Sequence, residues 1–156
     1  MERRFSYRQA ENLATAFKRH RVKYLFIGKS GAIILGFPDT TQDVDVFVEK
    51  SRGNCRRLAR ALEDMGYPLT AHDKEEILRG KDFIQIRSGP FDLDIVFAPD
   101  GIKSFSDAKK RSLLIQGLPV CHIDDIIKSK EAAGRIKDRE SLPRLRAFRN
   151  WLMKKR

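Results

Sequence analysis

Two short segments in which aspartate alternates with apolar residues constrain the fold most strongly. Asp43–Val48 has the sequence DVDVFV, and residues 91–97 have the sequence FDLDIVF. Successive side chains of a strand point to opposite faces, so each segment is predicted to be a strand with two carboxylates on one face and apolar side chains on the other. Because the Asp43 and Asp45 carboxylates repel each other unless a cation lies between them, the first strand predicts a cation site.

The chemistry of this site follows from the residue types around it. If the two strands pair side by side, Asp92 or Asp94 joins Asp43 and Asp45 on one face. No His or Cys accompanies these carboxylates and no basic partner is evident, so the oxygen donors favour Mg²⁺ or Mn²⁺ over Zn²⁺. Divalent ions held by carboxylates usually face phosphates.

A glycine turn precedes the first aspartate strand. Residues 22–27 have the apolar, β-prone sequence VKYLFI, and residues 28–31 (GKSG) then break the strand. Ser30 is predicted to cap a short helix that follows. A glycine turn that opens a helix is a place for phosphate oxygens, so this turn and the aspartates together indicate nucleotide chemistry.

The ordered set of these motifs resembles the nucleotidyltransferase superfamily that includes DNA polymerase beta. The matching pieces are Ile27-Gly28, Lys29-Ser30, Asp43-Val44-Asp45 and Leu93-Asp94-Ile95. The chain is more closely similar to small bacterial nucleotidyltransferases grouped with abortive-infection and toxin–antitoxin proteins. Residues 36–45 (GFPDTTQDVD) are similar to the segment that leads into the metal-binding strand of those proteins. Residues 123–138 (IDDIIKSKEAAGRIKD) are similar to their C-terminal signature. The resemblance covers about residues 22–145.

The resemblance implies a fold and a set of site residues. The fold is α+β (mixed α/β), a nucleotidyltransferase-like twisted mixed sheet flanked by helices with a C-terminal helical segment. Asp94 is preferred to Asp92 as the third carboxylate. In the family this carboxylate precedes an Asp-Gly pair, and Asp94 precedes Asp100-Gly101 at the same spacing. The implied catalytic and metal-binding residues are Asp43, Asp45 and Asp94, and the implied nucleotide-binding residues are Gly28, Lys29, Ser30, Lys130 and Lys137.

Lys29 departs from the family pattern, which has a glycine where this lysine stands unless Ser30 takes that role. Glycine lets the backbone approach phosphates closely. Lysine can crowd the loop or reach a phosphate with its own charge. The loop is therefore the part of the site in which activity is most open to question.

The activity implied by the resemblance is metal-dependent transfer of a nucleoside monophosphate from a nucleoside triphosphate. The acceptor is a hydroxyl of RNA, tRNA included, or of a protein. Two alternatives remain open: a non-catalytic nucleotidyltransferase-like antitoxin or binding subunit, and a basic RNA-binding module in which the acidic cluster is only structural. A cognate protein partner is an expectation of the toxin–antitoxin resemblance.

Size and charge are consistent with this interpretation. The 156 residues are predicted to form one domain, residues 1–156, with a formal net charge of +11 that indicates a polyanionic substrate or partner. Solubility or an acidic protein partner is the plainer explanation. The basic segment is about residues 123–156, and from Lys130 to Arg156 there are ten basic and three acidic residues.

The location and the remaining elements are predicted from local patterns. Cys55 and Cys121 lack metal-type spacing and are interpreted as reduced thiols of a cytoplasmic protein. Residues 1–4 are not followed by an apolar run and no segment has the length of a membrane span, so neither a signal peptide nor a membrane anchor is expected.

A last helix is predicted from Asp138 as N-cap to about Met153, with Pro143 in its first turn.

Overall fold

The computed structural model describes residues 4–155, in which helices and strands are mixed along the chain. The helices are α1 (Tyr7–Arg19), α2 (Gly28–Ile34), α3 (Arg52–Asp64), α4 (Ala71–Arg79), α5 (Phe105–Arg111), α6 (Ile123–Ala133) and α7 (Ile136–Lys154). The strands are β1 (Tyr24–Phe26), β2 (Asp43–Val48), β3 (Phe83–Ile86), β4 (Asp92–Val96), β5 (Leu113–Ile115) and β6 (Leu118–Val120). The expectation about a leader at residues 1–4 falls largely outside the described residues, as does Arg156 of the basic segment.

The strands form one mixed sheet with the order β3-β4-β2-β1-β6-β5. Strand β2 runs parallel to β4 and β1 runs parallel to β6, whereas the pairs β1–β2, β3–β4 and β5–β6 are antiparallel. This mixed sheet with seven helices over residues 4–155 confirms the predicted α+β architecture. Within the same residues, no helix combines the length and the apolar character that crossing a membrane requires.

Strand β2 separates two hydrophobic cores because its side chains alternate between the faces of the sheet. Val44, Val46 and Val48 are fully buried in one core, together with side chains of α1 and α3. On the other face, Phe47 belongs to a second core formed with α6 and α7. The carboxylates of Asp43 and Asp45 share that second face by parity, as the sequence predicts. The polar site therefore lies beside a packed helical layer.

The C-terminal helix begins and continues differently from the prediction. Helix α7 starts at Ile136 with Arg135 as its N-cap, and Asp138 is the third helical residue, so the prediction of Asp138 as N-cap is wrong. The Asp138 carboxylate still accepts the Arg135 backbone N–H and so completes a capping box. Pro143 lies inside the helix and not in its first turn. Burial of Leu142 and Leu145 on the second core offsets the hydrogen bond that proline cannot donate.

Leu145 offers a direct test of the second core. It is 0% exposed, whereas Leu114 on strand β5 is 72% exposed. We expect Leu145→Ala to lower the free energy of unfolding by about 2–5 kcal/mol, because the truncation leaves a cavity. Urea unfolding followed by circular dichroism measures the change, and Leu114→Ala is the matched control with little effect. Equal losses in the two variants would contradict the described packing of α7.

Candidate active site

Parallel pairing of β2 with β4 places four aspartates side by side. The register pairs Asp43 with Asp92 and Asp45 with Asp94. All four share one face of the sheet, and three of them, Asp43, Asp45 and Asp94, line a pocket of about 560 Å³. Asp92 is not among the lining residues of this pocket. The structure therefore brings together the three carboxylates that the sequence analysis selected. Gly28, Lys29, Lys130 and Lys137 also line the pocket.

Ser30 lies behind the pocket and holds strand β2 against helix α2. Its hydroxyl oxygen accepts the backbone N–H of Asp45 at 2.9 Å. The same hydroxyl lies 3.2 Å from the carbonyl oxygen of Ile27 and 3.4 Å from the Asp45 carboxylate. Helix α2 begins at Gly28, two residues before Ser30, so the prediction of Ser30 as N-cap is wrong. Ser30 is fully buried and fixes Asp45.

Gly28 leaves the space that the Asp45 side chain occupies. Its φ is +66°, a left-handed conformation that residues with a Cβ rarely adopt. A Cβ atom at this position would lie 2.6 Å from Oδ2 of Asp45. The positive φ and the close approach of the Asp45 side chain therefore both require glycine at position 28. The second requirement comes from Asp45 and not only from the approach of a phosphate.

An arginine that the sequence analysis missed lies among the carboxylates. Nη1 of Arg87 donates a hydrogen bond of 3.0 Å to Oδ1 of Asp43, and it lies 3.3 Å from Oδ1 of Asp94 and 3.9 Å from Oδ2 of Asp92. The expectation that the acidic cluster has no basic partner is therefore wrong. The sequence does contain a pattern that predicts this contact. Alternation through β3 places Arg87 on the same face as Phe83 and Gln85. The β3–β4 hairpin then brings this face beside the aspartates of β4.

The carboxylates deepest in the pocket hold their protons unusually tightly. Burial, followed by the charge of Asp94, raises the pKa of Asp45 to about 8. Burial and the charge of Asp43 raise the pKa of Asp94, and Arg87 opposes this rise. Oδ1 of Asp94 is buried without a hydrogen bond. An added cation would lower the free-energy cost of ionising both carboxyl groups. A further positive charge would therefore stabilise the site.

The residues present fit a divalent cation by chemistry. Asp43, Asp45 and Asp94 offer carboxylate oxygens, the donors that Mg²⁺ and Mn²⁺ prefer, and the unbonded Oδ1 of Asp94 belongs to a residue that lines this pocket. Within residues 4–155, no group of three or more His, Cys, Asp or Glu side chains is already arranged as metal ligands. Arg87 lies between the carboxylates in this arrangement, so a metal ion there requires Arg87 to withdraw.

Lysines from three helices form the basic wall of the pocket, and two of them are held by aspartates. Nζ of Lys29 lies 3.4 Å from Oδ2 of Asp39, which also accepts a 2.8 Å hydrogen bond from Arg144. Nζ of Lys130 lies 3.6 Å from Oδ1 of the fully buried Asp138. Burial lowers the pKa of Lys130, while the charges of Asp138 and Asp45 oppose that change. These ion pairs therefore hold Lys29 and Lys130 in place at the side of the pocket.

Arg135 and Lys137 extend the same wall at the start of α7. Arg135 donates a 2.7 Å hydrogen bond to Oδ2 of Asp138, and both Arg135 and Lys137 line the pocket. Lys137 lies in the first turn of the helix and not in a break between helices. The pocket thus combines a carboxylate floor with a cationic side, which suits a substrate that carries phosphates.

Solved structures with the same fold are known nucleotide-transfer proteins or candidates for that role. The chain superposes on lincosamide antibiotic adenylyltransferase LnuA, solved with lincomycin bound, with a TM-score of 0.65 and 14% identity, over 90% of this chain and 96% of that one. It superposes on a candidate nucleotidyltransferase from Thermotoga maritima with a TM-score of 0.58 and 14% identity, over 95% of this chain and 92% of that one. No protein-family model matches the sequence. At this identity the likeness shows the fold, and the chain has the nucleotidyltransferase fold.

The requirement for glycine at position 28 is testable without any activity. We expect Gly28→Ala to lower the midpoint of thermal unfolding, because alanine is unfavourable at a φ of +66° and its Cβ displaces the Asp45 carboxylate. Gly117→Ala is a matched control for the conformational cost, since Gly117 has a φ of +84° and a Cβ atom added there would meet nothing within 4 Å. A loss no larger than that of the control would contradict the contact with Asp45.

The raised pKa of Asp45 predicts a pH dependence in chelator. An acid whose pKa rises from 3.8 when unfolded to about 8 when folded stabilises the protein at low pH, and this stability is lost as pH rises from about 4 to about 8. We expect Asp45→Asn to remove that loss, so the variant gains stability relative to the wild type across this range. Thermal unfolding in EDTA at several pH values measures the difference. A stability difference between variant and wild type that does not grow from about pH 4 to about pH 8 would contradict the unfavourable charge.

Proposed function

We propose that the chain is a metal-dependent nucleotidyltransferase that moves a nucleoside monophosphate from a nucleoside triphosphate to an acceptor hydroxyl. The observation that carries this proposal is the convergence of Asp43, Asp45 and Asp94 in one pocket. Oδ1 of Asp94 is buried there without a hydrogen bond, with only the Arg87 ion pair at 3.3 Å. The basic side of the same pocket and the fold support it. Because the likeness to solved structures is one of fold, the activity itself rests on these residues.

Each group has a role that its position suggests. Asp43, Asp45 and Asp94 would hold Mg²⁺ or Mn²⁺, which when bound neutralises triphosphate charge and makes the acceptor hydroxyl more acidic. Lys29, Lys130 and Lys137 would contact the triphosphate, as would the backbone at Gly28. Ser30, which was expected to contact phosphates, is assigned here to positioning Asp45 through its hydroxyl.

The transfer forms one bond at the α-phosphorus and breaks another. The acceptor oxygen forms a bond to the α-phosphorus, and the bond between that phosphorus and the pyrophosphate oxygen breaks. Pyrophosphate leaves with the electron pair, and the hydroxyl proton passes to a carboxylate oxygen of Asp94. Asp94 lines the pocket, so its carboxylate is available to accept that proton.

We propose RNA as the acceptor, with a protein hydroxyl as the competing choice. The formal net charge of +11 and the exposed basic residues at the start of α7 support a polyanion. LnuA was solved with lincomycin, a small molecule, so an acceptor of that kind belongs in the same assay. Incubation with labelled nucleoside triphosphates, Mg²⁺, total cell RNA, total protein and a small-molecule extract identifies which class carries the label.

A non-catalytic nucleotidyltransferase-like binding subunit is the second candidate. The ion pairs of Arg87 with Asp43 and Asp94 favour it, because they partly satisfy the carboxylates without a metal. Isothermal titration with Mg²⁺ and each nucleoside triphosphate separates the two candidates. Nucleotide binding that depends on Mg²⁺ supports the enzyme, and its absence supports the binding subunit.

Asp92 and Asp94 form a matched pair for testing catalysis, since both belong to β4 and share a face but only Asp94 lines the pocket. We expect Asp94→Asn to reduce label transfer about 100-fold or more, because the variant loses both a ligand oxygen and a proton acceptor. Asp92→Asn should retain most of the activity. Circular dichroism verifies that both variants fold. Equal activity of the two variants would contradict the role of Asp94.

A further inference from the structure

The edge strand β3 presents an exposed aromatic ring to the pocket. Side chains of β3 alternate, so Ile84 and Ile86 are buried while Phe83 and Gln85 are exposed on the pocket side. Phe83 is 42% exposed although it is a large apolar side chain. It lines the pocket together with Val96 of β4 and with Pro99. This side of the pocket therefore has apolar surface, next to the exposed residues Asp82 and Asp100 that also line the pocket. No part of the nucleotide-transfer roles assigned above uses the Phe83 ring.

The strand register fixes the distance between this ring and the carboxylates. Phe83 pairs with Val96, and Gln85 pairs with Asp94, in the antiparallel β3–β4 ladder. Directly paired residues have Cβ atoms about 4.5–5.5 Å apart, and diagonal neighbours are about 7–8 Å apart. Phe83 is therefore a diagonal neighbour of Asp94 on the pocket face, and Gln85 lies directly beside Asp94.

The Phe83 ring and the basic wall lie on different sides of the carboxylates. Strand β3 is the edge of the sheet beyond β4, whereas Lys29 follows β1, which lies beyond β2. Lys130 belongs to α6, which packs on α2. A triphosphate held by these lysines leaves the Phe83 side for the other substrate.

We propose that Phe83 is the platform on which the base of the 3′-terminal nucleotide of an RNA acceptor stacks, and that Gln85 lies beside its ribose. The inference rests on the proposed function and names the part of the acceptor that the site selects. A base stacked on Phe83 would bring the hydroxyls of its own ribose near Asp94, because Phe83 and Asp94 are diagonal neighbours on one face. Every nucleobase has a face that can stack on a phenyl ring, so the platform tolerates any terminal base. The net charge of +11 suits the phosphates that precede this nucleotide.

The test measures binding of a short single-stranded RNA without Mg²⁺ or nucleotide, by fluorescence anisotropy at low salt. Two RNAs are compared, one with a normal 3′-terminal nucleotide and one whose 3′-terminal nucleotide is abasic. We expect Phe83→Ala to weaken binding of the normal RNA about tenfold and to leave binding of the abasic RNA unchanged. Phe83→Trp should restore binding of the normal RNA. Leu114→Ala is the control, because Leu114 is an exposed apolar residue on the opposite edge strand.

The outcomes separate this inference from the proposed function. Equal effects of Phe83→Ala on the two RNAs, or no detectable RNA binding by the wild type, would overturn the platform. Label transfer to a small molecule or a protein with no transfer to RNA would also overturn it. If the terminal base and Phe83 prove coupled but no nucleotide is transferred, the RNA site stands and the transferase function fails. Transfer to RNA with a KM that Phe83→Ala leaves unchanged would preserve the function and reject the platform.

Discussion

The parallel pairing of β2 with β4 is the constraint on which the site depends. Parallel strands in register place Asp43 beside Asp92 and Asp45 beside Asp94, although like charges next to each other are unfavourable. The pairing persists because the opposite face of the same strands buries Val44, Val46 and Leu93 completely. A shift by one residue would move the carboxylates into that core. The apolar face thus fixes the register, and the register creates the acidic cluster.

The surrounding residues reduce the cost of this cluster in different ways. Arg87 supplies a positive charge from the β3–β4 hairpin, and Gly28 provides space for Asp45. Ser30 accepts the backbone N–H of Asp45 and so orients the strand. These contacts do not complete the compensation, since the pKa of Asp45 remains at about 8 and Oδ1 of Asp94 accepts no hydrogen bond. A site that remains short of positive charge inside a strongly basic protein is suited to a cation that arrives with its substrate.

Periodicity in the sequence predicted the elements well, and the details that depend on neighbours in space were harder to obtain. Strand β2 has the predicted bounds, because alternation reflects which face of a strand is buried. Ser30 and Asp138 belong to residue types that often cap helices, but the N-caps are Ile27 and Arg135, each three residues earlier. Arg87 was missed because its partners are distant in sequence and meet it only through the hairpin. The gathering of Asp43, Asp45 and Asp94 was predicted because it requires only strand parity and one pairing, whereas their chemical roles remain predictions.

The two walls of the pocket have a further consequence for the proposed reaction. In-line displacement at a phosphorus atom requires the attacking oxygen and the leaving oxygen to lie on opposite sides of that atom. Lys29 and Lys130 lie toward β1 and α6, where pyrophosphate would accumulate negative charge, and Phe83 lies toward the β3 edge, where the acceptor would enter. The carboxylates lie between these two sides. In the proposed reaction, pyrophosphate would therefore leave on the basic side and the acceptor would attack from the Phe83 side. The order of strands in the sheet would set both directions.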